Sequence, residues 1–254
     1  MVSRRWRVLQ KERYEMKYIL PESAVPALRS FVRAYLSPDE HVNGDGLNSY
    51  QVYTLYLDAP SLVLCRQTQQ GLRNRFKLRV RWYDPSPSAP AFLEIKQRTN
   101  DFIHKLRAEV TKQEIQRIVG GSYLSLADRL QHNGTTDVIG EFCERRDRLI
   151  ASEIMLVTYT REAYESSLGN HVRVTFDRDI WGRVCGLGKD LPAGKQHGEV
   201  SRRRVVLEIK FTKQMPGWTH DLVQAFQLQR VSFPKYVACV EALGLSNSPD
   251  TTHF

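Results

Sequence analysis

The peptide Leu-Glu-Ile-Lys occurs twice in this chain, at 93–96 and 207–210. A strand turns successive side chains to opposite faces, so Glu94 and Lys96 share one face and Leu93 and Ile95 the other. The same alternation runs through residues 13–17, 77–81 and 173–177. Each of these five segments pairs an apolar face with a face of fixed charge. The charged faces are mostly cationic, and four of the five carry one carboxylate. A single strand of this kind is ordinarily a solvated sheet edge. Five of them predict a sheet whose charged face lines a shared cavity, suited to a polyanion and a metal ion.

The 37 basic residues outnumber the 28 acidic ones, for a net charge of +9, which favours anionic partners. A hydrophobic fraction of 41% supports a folded core. Cys65, Cys143, Cys185 and Cys239 are scattered without a C-x-x-C pair, which predicts reduced packing residues and argues against both a disulfide framework and a zinc site. No apolar run reaches the ~20 residues that span a bilayer, and no secretory signal is expected. The chain reads as cytoplasmic.

Along the chain we expect a basic lead-in over 1–11, one domain over 12–244, and a disordered tail over 245–254. Strands are expected at 12–20, 50–58, 73–84, 91–98, 152–162, 170–180 and 203–212. Residues 101–109 read as a short strand or a gating loop, and 182–200, with five glycines, as a loop. Helices are expected from a Ser23 cap through Leu36, over 61–70 up to Gly71, across an insert at 112–150, from Pro216 to about Arg230, and over 235–243. Residues 43–46 are turn chemistry. The fold class is α+β, an antiparallel β-barrel tunnel, closed or nearly so, with peripheral helices.

Lys77, Arg79 and Arg81 spread three cations over roughly 13 Å of one strand face, a span that suits an extended polyphosphate. Arginine forks onto two phosphate oxygens, and lysine offers a mobile point charge. Glu94 with Lys96, and Glu208 with Lys210, read either as neutralising ion pairs or as a carboxylate holding Mg²⁺ or Mn²⁺ beside a phosphate-binding lysine. The Gly186-Leu187-Gly188-Lys189 run lacks a full phosphate-loop pattern and reads as a flexible loop. Ser166-Ser167 has no neighbouring base.

These residues resemble the polyphosphate polymerase domain of the vacuolar transporter chaperone (VTC) proteins, within the triphosphate tunnel metalloenzyme superfamily. The resemblance rests on residues 13–18, 55–58, Gly71 with 79–83, 92–96, 105–107, 159–164, 173–177, 206–211 and 234–236, in that order. It implies a tunnel that binds a nucleoside triphosphate and a growing phosphate chain. Lys17, Arg79, Arg81, Lys96, Arg161, Arg173 and Lys235 look like its phosphate-binding residues and Glu208 like its metal carboxylate. Lys105, Arg107 and Lys210 are further candidates. Glu12, Glu15 and Lys17 approach the superfamily's E-x-E-x-K signature, with Arg13 where its first glutamate belongs. The implied activity is transfer of the γ-phosphate of ATP to inorganic polyphosphate. Arg79, Arg81, Arg161 and Arg173 would clamp donor phosphates, with Lys96 and Glu208 in the catalytic set. The alternatives are a triphosphatase in the same tunnel and a non-catalytic binder of polyphosphate or RNA. RNA is disfavoured because Trp82, Tyr83 and Phe92 fall at strand ends or on the apolar face.

Overall fold

A computed structural model describes residues 14–39, 49–100, 102–120, 136–166, 172–186, 196–212 and 214–245. The expected lead-in, the turn at 43–46, the phosphate-loop-like run beyond Gly186 and the tail beyond 245 lie outside these residues.

Ten strands follow one another as β1 (Tyr14–Pro21), β2 (Ser37–Pro38), β3 (Ser49–Asp58), β4 (Asn74–Trp82), β5 (Ala91–Thr99), β6 (Phe102–Val110), β7 (Ser152–Glu165), β8 (Arg173–Val184), β9 (His197–Glu199) and β10 (Arg204–Phe211). Their main path is antiparallel throughout, in the order β1-β10-β8-β7-β3-β4-β5-β6, with β2 on β7 and β9 on β8. Although β1 and β5 stand far apart in that order, Lys96 Nζ of β5 donates to Glu15 Oε2 of β1 at 3.0 Å. The sheet therefore curls until the two ends of its concave face touch through side chains. Among the described residues β1 and β6 share no ladder, so the tunnel wall is open in its backbone and bridged across the gap.

The helices are α1 (Val25–Arg33), α2 (Val63–Gln69), α3 (Lys112–Val119), α4 (Thr136–Arg148), α5 (Gly217–Ala225) and α6 (Lys235–Ala242). Helices α1, α3, α4 and α5 cover the convex face, which holds the larger apolar half of the strand alternation. Leu207, Ile209, Val174 and Phe176 pack with Leu28, Val32 and Leu222 of α1 and α5. Leu78, Val80, Leu93 and Ile95 pack with Ile118, Ile139 and Phe142 of α3 and α4. Burying this apolar area against helices outside the sheet leaves much of the concave face to charge. Among the described residues no helix is long and apolar enough to cross a membrane.

Helix α6 packs on the concave face instead, beside the charged cavity, burying Tyr236, Val237, Cys239 and Val240 with Met155, Val157, Ile180 and Val206. A Cβ on Gly182 would sit 2.8 Å from that of Cys239, so glycine permits the close approach. Asp58 ties the helix down. Its carboxylate accepts from the amides of Ala59, Leu64 and Cys65 and from the Tyr236 hydroxyl, all at 2.8–2.9 Å. Losing it strands four buried donors, so Asp58→Ala should lower stability by about 3 kcal/mol, read as a shifted urea midpoint.

Three expectations need correction, and one open alternative is decided. Ser23 does not cap a helix: a 3-10 turn occupies Glu22–Ala24, and α1 starts with Pro26 in its first turn and no side-chain cap. Of the two readings given for 101–109 the strand holds: β6 runs along β5. The glycine-rich 182–200 stretch includes the end of β8 and a partner strand, β9. The helix from Pro216 stops at Ala225, and after a turn at 226–227 the chain passes beside β1, where the Val231 amide donates to the Lys17 carbonyl at 2.8 Å.

Candidate phosphate-binding tunnel

Alternation puts Glu15 and Lys17 of β1, Arg75 to Arg81 at every second position of β4, Lys96 and Arg98 of β5, Arg161 of β7, and Glu208 and Lys210 of β10 on the concave face. They surround a cavity of about 450 Å³. Arg230 to Pro234 and Lys235, the first residue of α6, complete its wall. Eleven cationic residues and two carboxylates, Glu15 and Glu208, line it.

The carboxylates arrange the cations. Glu208 accepts from Lys210 at 2.6 Å and Lys235 at 2.9 Å, with Lys17 and Arg161 at 3.5 and 3.7 Å. Burial alone would raise its carboxyl, but Lys210, Lys235, Lys17 and Arg161 hold it well below the usual carboxylate range. Burial is likewise outweighed at Glu15, by Lys96 and Lys17. Asp177, fully buried, takes both forks of Arg161 at 2.6 and 2.7 Å and Lys235 Nζ at 2.6 Å. These two cations also face the Tyr159 ring, at 5.2 and 4.9 Å from its centroid.

Two cations have no such anchor. Arg81 is buried, donates from Nε to Thr54 Oγ1 at 3.2 Å, and meets no carboxylate among the described residues. Neither does Lys77, which faces Lys96, Lys17, Arg79 and Arg75. Unneutralised buried charge is costly and marks where an anion is expected.

Of the residues singled out in the sequence, Lys17, Lys77, Arg79, Arg81, Lys96, Arg161, Lys210, Lys235 and Glu208 converge on the cavity. Arg173, Lys105, Arg107 and Glu94 do not line it. Arg173 is held by Asp39, by Glu165 at 2.7 Å and by the Tyr50 hydroxyl at 3.0 Å. Glu94 has no exposure; it receives Arg79 at 2.6 Å, Arg107 at 2.8 Å and Lys105 at 3.3 Å. Burial pushes the Lys105 ammonium down to about 7. Sequence reasoning assigned no role to Asp177, Tyr159, Arg75, Arg98 or the 230–234 segment. Strand parity with Arg173 places Asp177 on the concave face; nothing local in the sequence marks 230–234.

Whether a divalent cation fits can be judged from the donor set. Among the described residues no three Asp, Glu, His or Cys side chains group as metal ligands. Glu94 is fully buried and walled off from the cavity. Glu208 and Glu15 face the cavity from neighbouring strands, Glu15 standing opposite Lys210 and Lys17 opposite Glu208. Mg²⁺ and Mn²⁺ commonly take one or two carboxylates and complete their shell with water and substrate phosphate oxygens. The residues present fit that partial site.

The depressed carboxyls fix the response to acid. Glu15, Glu94, Asp177 and Glu208 bind protons less readily folded than unfolded. Their contribution is complete above the unfolded values and is lost as pH falls through the folded ones, so the urea midpoint should drop steeply only below about pH 4. A drop already between about pH 6 and 5 would contradict these ion pairs.

The chain belongs to the VTC domain family, whose model matches residues 12–244. Membership places it among the polyphosphate-related tunnel enzymes. A putative adenylate cyclase from Bacillus halodurans shares the fold, with a TM-score of 0.50 and 12% identity over 88% of this chain and 94% of that one. A putative adenylyl cyclase from Hippeastrum, described as having a dominant triphosphatase activity, aligns at a TM-score of 0.48 and 14% identity over 96% of this chain and 100% of that one. The PH1819 protein from Pyrococcus horikoshii aligns at 0.42 and 14% over 91% and 98%. No curated protein matches the chain.

Proposed function

We propose that the protein is a metal-dependent polyphosphate polymerase that moves the γ-phosphate of ATP onto the end of an inorganic polyphosphate chain. The observation that carries this reading is the excess of fixed cations over carboxylates around one cavity, with Arg81 and Lys77 in no close carboxylate ion pair among the described residues. Such transfer asks little covalent chemistry of the protein; positioning and charge neutralisation supply most of the rate. Arg79, Arg81 and Arg161 hold donor phosphates in line with the acceptor. Lys17, Lys96, Lys210 and Lys235 bind the chain, and Asp177 positions Arg161 and Lys235. Arg173, Lys105 and Arg107 support the wall from positions outside it. Glu208, with Glu15, would hold Mg²⁺ or Mn²⁺, which when bound neutralises charge on the phosphate oxygens.

Water and phosphate compete as acceptors in such a site. Activating water calls for a base, and the carboxyls of Glu15 and Glu208 are held well below the usual range. A terminal phosphate arrives ionised and needs none. Purified protein given ATP and Mn²⁺ should form ADP together with a long inorganic phosphate polymer. ADP and free phosphate without polymer would replace the polymerase reading with hydrolysis, and tight RNA binding that triphosphate fails to displace would replace both.

A further inference from the structure

The hydroxyl of Thr175 is buried and has no hydrogen-bond partner among the described residues. Thr175 lies on the concave face of β8, directly opposite Glu208 of β10 on one side and Ala163 of β7 on the other. Directly opposed strand residues hold their Cβ atoms about 5 Å apart, within reach of a turning side chain. A buried hydroxyl without a partner costs free energy, so its place beside the cavity calls for a physical reason.

The neighbours narrow that reason to one residue. Ala163 carries no polar side-chain atom. Arg173, on the same face of β8, is committed to Asp39, Glu165 and Tyr50. Asp177, on the other side of Thr175 along the strand, takes both forks of Arg161 and the Lys235 ammonium. Glu208 is left. An ionised carboxylate offers about four acceptor sites. Here Lys210 donates to one oxygen and Lys235 to the other. The two lysines are not held alike. Lys235 has a second anchor, Asp177 at 2.6 Å, and its side chain is 7% exposed. Lys210 hydrogen-bonds to Glu208 alone among the described residues, and its side chain is 19% exposed on the cavity. Lys210 is therefore the cation that can leave.

Given the phosphate-binding reading of the cavity, on which this inference rests, we propose that Thr175 is a positioning residue for Glu208: when Lys210 turns to a bound polyphosphate, the Thr175 hydroxyl takes its place as donor to the Glu208 carboxylate. The exchange puts a neutral donor where a cation stood. The Lys210 ammonium is released to phosphate oxygens, while Glu208 keeps Lys235 on one oxygen and gains the hydroxyl on the other. Without that hydroxyl, filling the tunnel would leave a buried carboxylate oxygen short of a partner, and Lys210 would be held back from the phosphate.

Tripolyphosphate without metal is the probe, titrated by calorimetry into the full-length protein. Thr175→Val keeps the branched shape and removes only the hydroxyl. Its urea midpoint without tripolyphosphate should match or exceed that of the wild-type protein, because no hydrogen bond is lost, while tripolyphosphate binds about tenfold more weakly. Thr175→Ser, which keeps the hydroxyl, should bind within about twofold of wild type. A valine variant that binds as tightly as wild type, or a serine variant as weak as the valine one, would overturn the proposal. So would a valine variant that fails to fold or loses stability along with affinity, since the hydroxyl would then belong to the scaffold. Each of these results leaves the phosphate cavity standing. Failure of tripolyphosphate to bind the wild-type protein would instead remove the phosphate reading, and the role of Thr175 with it.

Discussion

Arg81→Met should reduce phosphate transfer at least about a hundredfold while leaving the protein folded, the scale set by removing a preorganised charge from a phosphoryl-transfer site. Methionine retains most of the side chain's length and removes only the guanidinium. Among the described residues that group makes one hydrogen bond, from Nε to the Thr54 hydroxyl at 3.2 Å, and Glu94 attracts it while Arg79 two residues away repels it. Its loss breaks no close ion pair, so the urea midpoint should shift little while kcat falls. Unchanged turnover would move the reacting phosphates away from this end of β4. A fall in stability matching the fall in turnover would make Arg81 part of the scaffold instead.

Glu94→Gln should show the opposite balance, with a loss of about 3–5 kcal/mol in stability, because one carboxylate compensates several buried cations at once. Arg79, Lys105 and Arg107 all donate to Glu94, which has no exposure. Glutamine fits the same space but carries no charge and has one acceptor oxygen instead of two. If Glu94 instead held a metal ion in the working site, Glu94→Gln would leave the metal-free protein's stability unchanged and alter only the metal concentration needed for activity. Denaturation with and without Mn²⁺ separates the two.

The wall of the tunnel was legible in the sequence because strand parity is a local property. Lys77, Arg79 and Arg81, or Glu208 and Lys210, share a face whichever strands lie beside them, and five similar segments imply one enclosed surface. What parity leaves open is depth along the tunnel. Arg173 and Arg161 both point to the concave side, yet Asp39 and Glu165 hold the first near one end while Asp177 and Glu208 hold the second at the cavity. Partners drawn from distant strands decide this, and no single segment records them. The 226–234 stretch escaped for a related reason. Its shape is set by pairing with β1, through Val231 on Lys17 and Arg230 opposite Tyr18, more than by its own propensities.

Asp58 has a bearing on how variants of this protein are interpreted. The residue never meets the cavity, but it fastens Tyr236, and the neighbouring Lys235 reaches Glu208 and Asp177 across the tunnel. In a survey of substitutions ranked by enzyme output alone, Asp58 would sort with the groups that touch phosphate. Output normalised to the amount of folded protein would return it to its place as the peg on which a remote lysine hangs.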